Sequence, residues 1–172
     1  MEQFVRDARI AMLYEGANGI QALDLVGRKL PKDGGRAVVA FFNEVGAFLK
    51  ENEANAELAP FLKPLKQGLD HLQQATMWFM QNAMARPDNA GAGSTDYMHL
   101  FGLVALGFMW GQMAKASVEK LKNGADGRAE FYETRLTLGR YFMEREMPET
   151  AAHLARISSG AETLMKLPAD AF

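Results

Sequence analysis

The sequence predicts an all-α protein, an antiparallel helical bundle with an N-terminal helix–loop–helix extension. Apolar residues recur at spacings of three and four along most of the chain, which is the period of an amphipathic helix, and alternating strand patterns are absent. Proline, glycine and asparagine cluster in short stretches between these segments, where they are typical of turns. A chain of 172 residues is long enough to bury the core of one domain.

Seven helical segments are predicted in order. The first two cover about 2–12 and 19–30, and Asn18 is the expected N-cap of the second. The later segments cover about 36–52, 58–85, 95–122, 127–145 and a last helix opened by Pro148. Because the stretch 86–94 is rich in Pro, Asp, Asn and Gly, it is predicted to be a loop.

Each later segment carries an apolar stripe that is expected to face the core of the bundle. The longest one has a seam with alternating spacings of four and three, formed by Leu58, Leu62, Leu65, Leu69, Leu72, Thr76, Phe79 and Ala83. In the next segment Gly107 and Gly111 indicate a close approach between helices. The aromatic residues Trp78, Phe79, Phe108 and Trp110 are interpreted as core and not as a cofactor pocket. The inward residues of the last segment are predicted to be Leu154, Ile157, Ala161 and Leu164.

Composition excludes several classes of function. The net charge of −2 gives no basic surface for nucleic acid, and the most apolar stretch, 100–110, is about half of what a bilayer span needs. The chain has no cysteine, which excludes disulfides and thiolate metal sites and fits a cytoplasmic protein. Three histidines, His71, His99 and His153, lack the carboxylate pattern of a di-metal bundle, so no metal site is expected.

The informative stretch is 5–21, VRDARIAMLYEGANGIQ. It resembles the acyl-CoA dehydrogenase pattern RDA-x-I-x-x-x-YEG-[TS]-x-x-IQ. The chain that follows it, ALDLVGRKL and onward, resembles the subgroup of that family with an added C-terminal helical domain. The resemblance implies two units. Residues 1–32 would be the end of the dehydrogenase helical domain, with the catalytic-base loop, and residues 35–172 would be the added bundle domain.

The resemblance assigns roles to five residues. Glu15 would be the catalytic base that removes the α-proton of an acyl-CoA thioester, and the N–H of Gly16 would bind the thioester carbonyl. Ala17, Asn18 and Gly19 would line the FAD. The family has Thr or Ser where this sequence has Ala17, so a side-chain hydrogen bond of that position is lost here. Without the motif, Glu15 would be read as a solvated residue in a loop between helices.

The resemblance further implies a parent enzyme whose flavin- and CoA-binding domains have no counterpart in this sequence. The chain is therefore interpreted as a truncation, a gene fragment or one half of a split enzyme, inactive by itself. The parent's partners would be an acyl-CoA substrate, an electron acceptor such as an electron-transfer flavoprotein, and further copies of the same chain. Exposed apolar faces of residues 4–30 are expected to support self-association. The alternative is a non-catalytic helical module for oligomerisation or partner binding.

Overall fold

A computed structural model describes residues 2–11, 17–83 and 85–171. Within these ranges the regular elements are helices, and no strand occurs. The α-helices are α1 (Glu2–Ile10), α2 (Ala17–Asp24), α3 (Arg36–Asn52), α4 (Ala59–Asn82), α5 (Pro87–Lys122), α6 (Ala129–Tyr141) and α7 (Glu149–Ser159). Short π-helical segments extend α2 over Leu25–Lys29 and α6 over Phe142–Glu146, and 3-10 turns lie at Lys32–Gly35, Ala125–Gly127 and Ala169–Ala171.

The helix α5 is the centre of the bundle. It packs against α4, α6 and α7, while α2 and its π-helical extension lie on another side of it and α3 packs on α4. The predicted fold class is confirmed: an all-α bundle that carries α1 and α2 as an N-terminal extension. None of the described helices is both long and apolar enough to span a bilayer.

The predicted seam of α4 forms the core. From Leu58 to Phe79 every seam residue is buried, because one side chain per turn faces α5, α6 or α7. The helix begins at Ala59 with Pro60 in its first turn and continues through Pro64. The two aromatic residues Phe79 and Phe108 are buried, and Trp78 and Trp110 pack against the core clusters, which confirms their interpretation as core.

One buried hydrogen-bond chain joins α4 to α5. The hydroxyl of Thr76 donates to the carbonyl oxygen of Leu72 at 2.8 Å, so the Tyr97 hydroxyl is the donor in the 2.7 Å contact between Tyr97 and Thr76. Burial raises the pKa of Tyr97 to about 12, and the neutral phenol keeps its proton for this bond. The polar position in the seam is therefore satisfied within the core.

The prediction of a loop at 86–94 is wrong, because α5 begins at Pro87. Proline fits the first turn of a helix, where its missing N–H is no loss, and Asp88 there suits the helix dipole. Asn89 is buried, since its side chain donates to the Asn82 carbonyl and accepts from the N–H of Ala161, at 3.2 and 3.0 Å. Although the composition of 86–94 is typical of loops, this stretch starts a helix whose Asn89 side chain is buried.

The predicted close approach at Gly107 and Gly111 is confirmed. A Cβ on Gly107 would lie 2.9 Å from the sulfur of Met147, and one on Gly111 would lie 3.0 Å from the ring of Phe48. Both distances are shorter than ordinary carbon contacts, so a larger residue at either position would require the Met147 side chain or the Phe48 ring to move. The side chains of Met147 and Phe48 pack directly against α5 at these two glycines.

The last predicted stripe is correct only in part. Ile157 and Ala161 are buried and Leu154 packs against the core, but Leu164 is 67% exposed. The reason is that α7 ends at Ser159, and Gly160 follows with a φ of +67°. The helical period that would have placed Leu164 inward stops at this glycine.

We expect the chain to unfold cooperatively when it is heated by itself. The buried seam of α4 and its contacts with α5, α6 and α7 form a core that spans most of the sequence. Such a core gives one all-or-none transition in small domains. Circular dichroism during thermal unfolding measures it. A gradual loss of helix signal, or a spectrum without helix, would contradict this expectation.

Candidate active-site segment

The candidate active-site residues lie in the stretch 15–19, which includes the start of α2. Glu15 and Gly16 are outside the described residues, and the chain on either side of them forms α1, which ends at Ile10, and α2, which begins at Ala17. The three predicted flavin-lining residues, Ala17, Asn18 and Gly19, make up the first turn of α2. The structure thus places them at the N-terminal end of a helix.

The start of α2 differs from the prediction. Because the helix begins at Ala17, Asn18 lies inside its first turn and is not the N-cap. The N–H groups of a first turn have no acceptor within their own helix, so they bind acceptor atoms outside it. Asn18 and Gly19 are exposed, and a Cβ on Gly19 would meet nothing within 4 Å. A polar or anionic group can therefore approach this end of α2 closely.

One face of α2 and its π-helical extension is fixed to the bundle. Ala22, Val26 and Leu30 are buried, and Val26 and Leu30 belong to the core cluster that includes residues of α5. On the solvent side, both oxygens of Asp24 accept hydrogen bonds from Arg28, and this partner holds the pKa of Asp24 below its usual value. The orientation of α2 is thus set by the bundle.

The opposite faces of α1 and α2 are apolar and exposed. On α2, Ile20 is 64% exposed and Leu23 is also exposed, as expected for the apolar faces of residues 4–30. Every described residue of α1 is exposed, including Phe4, Val5 and Ile10. Apolar faces of this kind on a folded protein mark surfaces that another chain or domain covers.

A surface groove of about 380 Å³ continues this apolar surface. It lies between α2, the first turns of α5 and the segment after α7. Leu23, Ala90, Leu164 and Met165 line it, so apolar side chains face it from all three elements. The exposed Leu164 is thereby placed beside the exposed Leu23.

Sequence reasoning missed one polar cluster, which joins α5 to α7. The Nδ1 of His153 lies 2.7 Å from Asp96, and the Arg156 guanidinium lies 3.2 Å from the same carboxylate oxygen. The ring of His99 packs edge-on against that of His153. In the sequence Asp96 is near His99, but in the fold its partner is a histidine 57 positions away, which no local spacing could show.

The cluster is built as a helix–helix tie. His153 is buried and Asp96 is largely covered, so their contact and the adjacent guanidinium satisfy polar groups that the α5–α7 contact removes from water. His71 has a similar role, since its Nδ1 lies 2.9 Å from the hydroxyl of Thr150. Among the described residues, no group of three His, Asp or Glu side chains is placed to hold a metal ion.

Comparisons with known proteins identify the family. The family model described as acetyl-CoA dehydrogenase C-terminal like matches residues 41–168. A 3-methylmercaptopropionyl-CoA dehydrogenase of Ruegeria pomeroyi is 34% identical over 171 residues, which cover 95% of this chain and 28% of that protein. A broad-specificity linear acyl-CoA dehydrogenase of Mycobacterium tuberculosis is 27% identical over 179 residues, which cover 100% of this chain and 29% of that protein.

The chain thus spans less than a third of the length of these two relatives. The family model covers α4 to α7 completely and most of α3, so it matches the whole bundle. Both relatives are acyl-CoA dehydrogenases, as the motif at 5–21 implied. The chain belongs to the acetyl-CoA dehydrogenase C-terminal-like family, and the family resemblance stated from the sequence is confirmed.

Proposed function

We propose that the chain is the C-terminal part of a flavin-dependent acyl-CoA dehydrogenase that desaturates acyl-CoA thioesters between the α- and β-carbons. The observation that carries this proposal is the segment 5–21, in which the motif with Glu15 joins two helices of a chain whose relatives are acyl-CoA dehydrogenases. In this reading residues 1–32 complete the active site and residues 35–172 form the added bundle domain. The match of the family model to 41–168 supports that division.

The described end of α2 fits a flavin cofactor. The N–H groups at the start of a helix have no acceptor within that helix and suit the polar edge of a bound group, and the space around Gly19 lets that group come close. Ala17 offers only its backbone for this contact, because it has no hydroxyl. FAD, when bound there in the intact enzyme, supplies the acceptor for the hydride that leaves the substrate β-carbon.

The chain's own residues accept the substrate proton and stabilise the negative charge that develops on the substrate. The carboxylate of Glu15 takes the proton from the α-carbon, and the electron pair of that C–H bond forms the new double bond as the hydride leaves the β-carbon. Negative charge that develops on the thioester oxygen is stabilised by the N–H of Gly16. Gly16 has no side chain, so the substrate carbonyl can reach that N–H.

The exposed apolar faces of α1 and α2 are proposed to pack on the preceding domains of the intact enzyme. This contact would place residues 12–16 against the substrate, while the buried face of α2 ties the end of this segment to the bundle. In the chain by itself these faces support self-association. We further propose that the intact enzyme acts on an acyl-CoA, passes its electrons to an electron-transfer flavoprotein and is located in the cytoplasm. The relatives' names support the acyl-CoA.

A non-catalytic helical module is the second candidate, and the exposed faces of α1 and α2 favour it equally. The two candidates differ in one experiment. Joining the chain to the dehydrogenase domains encoded upstream gives an active flavoprotein if the first proposal is right. A continuous helical protein without dehydrogenase sequence upstream, or a fusion that stays inactive and colourless, would favour the module.

By itself, the chain is expected neither to hold FAD tightly nor to dehydrogenate acyl-CoA. Its described residues contribute one helix end to the cofactor, and a single helix end cannot enclose a dinucleotide. Flavin absorbance after gel filtration measures binding, and reduction of an artificial electron acceptor in the presence of acyl-CoA measures turnover. The fusion to the upstream domains is the positive control. Stoichiometric yellow flavin or measurable turnover with the isolated chain would refute this prediction.

A further inference from the structure

We propose that Asn123 is a modification site, at which the exposed turn between α5 and α6 allows spontaneous deamidation to aspartate and isoaspartate. The sequence contains two Asn-Gly pairs, Asn18-Gly19 and Asn123-Gly124. Glycine after asparagine favours this reaction, because no side chain shields the attacking backbone nitrogen. The fold treats the two pairs differently and selects the second. The inference holds whether or not the dehydrogenase proposal is right.

The reaction needs no co-reactant other than water. The backbone nitrogen of Gly124 loses its proton and attacks the side-chain carbonyl carbon of Asn123, so that a C–N bond forms and the amide nitrogen leaves as ammonia. Water then opens the five-membered succinimide ring at one of its two carbonyl carbons. Opening at one carbon gives aspartate. Opening at the other gives isoaspartate, in which the backbone continues through the former side chain.

The turn leaves the reacting groups open. Asn123 and Gly124 are both exposed, and a Cβ on Gly124 would meet nothing within 4 Å, so there is room for the ring. The N–H of Gly124 donates to the carbonyl oxygen of Leu121 at 3.3 Å, which is a long hydrogen bond. The attacking nitrogen is therefore held only weakly in place.

The backbone at Asn123 can make the rotation that ring closure requires. The next nitrogen must turn toward the asparagine side chain, which is a rotation about ψ of Asn123. This residue is the C-cap of α5, with a φ of −95° and a ψ of 20°, and Gly124 follows it with a φ of +90°, so α5 does not continue. Helix ends open more readily than packed helix interiors, so the rotation breaks no regular turn of helix.

Asn18 is held by the helix to which it belongs. It lies in the first turn of α2, and the helical backbone continues from there into the π-helical extension. The same rotation about ψ of Asn18 would break the start of α2, whose Ala22 is completely buried. Local opening of such a packed turn has to come before the reaction. We therefore expect Asn18 to react slowly in the folded chain.

A second reactive pair in the same turn, Asp126-Gly127, is protected by its charge. Aspartate forms the same ring through its protonated carboxyl group, from which water leaves. The Asp126 carboxylate accepts a hydrogen bond from Lys120 at 2.9 Å, and this partner holds the pKa of Asp126 below its usual value. Asp126 thus stays ionised at neutral pH, which leaves Asn123 as the reactive residue of the turn.

Ageing of the whole chain at neutral pH, followed by peptide mapping, tests the proposal. Cleavage after glutamate gives the peptides 16–44 and 120–130, one for each Asn-Gly pair. In the folded chain, 120–130 should gain the mass of an acid that replaces an amide at least about tenfold faster than 16–44, since only Asn18 requires local unfolding. Labelling by an isoaspartyl methyltransferase should mark the same peptide. In guanidinium chloride, which removes the fold, the two peptides should react at similar rates.

Asn123→Ser should remove the acidic species that ion-exchange chromatography separates from the aged chain, while the matched variant Asn18→Ser should keep it. Circular dichroism verifies that both variants are folded. An unchanged mass of 120–130 after ageing would overturn the proposal. So would equal rates for the two peptides in the folded chain, or an acidic species that persists in Asn123→Ser. Isoaspartate in 120–130 without a gain of mass would place the reaction at Asp126 and would also count against Asn123.

Discussion

In the intact dehydrogenase, Glu15→Gln should slow reduction of the flavin by acyl-CoA by about 10²–10⁴-fold, which is a barrier increase of about 3–5 kcal/mol. Glutamine keeps the size and the polar contacts of the side chain but cannot accept the α-proton. Because the N–H of Gly16 and the first turn of α2 are unchanged, substrate binding and flavin content should change far less. Stopped-flow absorbance of the flavin after mixing with acyl-CoA measures the effect.

Glu2→Gln is the matched control for this experiment. It removes a carboxylate from the exposed start of α1, in the same segment, and should leave the rate of flavin reduction unchanged. If Glu15→Gln reduces the flavin as fast as the wild type does, another residue is the base, and the role assigned to Glu15 is wrong. If both variants lose flavin, the segment 2–21 acts in cofactor binding and the experiment does not support a proton transfer by Glu15.

Gly139→Val should destabilise the chain by about 1–3 kcal/mol, the usual cost of overpacking a core. Gly139 is buried in α6, and a Cβ there would lie 2.8 Å from the ring of Phe61 on α4 and 3.0 Å from the ring of Trp110 on α5. These two rings approach Gly139 from different helices, and a rigid ring cannot move aside as easily as the end of a flexible side chain. Urea unfolding followed by circular dichroism gives the change in the free energy of unfolding.

Gly46→Ala provides the control for that substitution. Gly46 lies in the interior of α3, and a Cβ there meets nothing within 4 Å, so alanine should stabilise the chain by about 0.5–1 kcal/mol through its higher helix propensity. Opposite signs at the two glycines would show that α6 packs on α4 and α5 as described. If valine at 139 is as stable as glycine, the close approach of α6 is wrong.

The period of the apolar residues was sufficient to predict most of the fold. The bounds of α3 were predicted at 36–52 and are Arg36–Asn52, because Gly35 before it and the polar residues after Asn52 limit the stripe on both sides. The seam of α4 was correct from Leu58 to Phe79, since burial of one face follows directly from its spacing. Where the local apolar pattern and the tertiary packing agree, the sequence alone was enough to predict the helix bounds and the buried face.

The sequence failed where a long-range contact decides the local structure. The composition of the first turns of α5 is typical of a loop. They are helical because Pro87 suits a helix start and the buried Asn89 binds the backbone of Asn82 and of the distant Ala161. The pair of Asp96 and His153 could not be predicted for the same reason, as its members come from different helices. Asparagine is a residue type that favours the N-cap position, but α2 begins at Ala17, so Asn18 lies inside the helix.

The candidate site was recognised from its motif and not from its geometry. Spacing alone would have left Glu15 as a residue of an exposed loop, because nothing local distinguishes a catalytic carboxylate from a solvated one. The described part of the site adds the N-terminal end of α2, and the exposed apolar faces beside it agree with the expectation for residues 4–30. We propose that those faces pack on another part of the intact enzyme.

The position of the Glu15 carboxylate relative to bound substrate tests the proposed role of this chain most directly. It can be measured in a crystal structure of the chain joined to its upstream domains, with FAD and a non-reactive acyl-CoA analogue bound. We expect a carboxylate oxygen of Glu15 about 3–3.5 Å from the substrate α-carbon, the distance of a near-attack geometry. A different carboxylate at that distance, with Glu15 in solvent, would contradict the assignment.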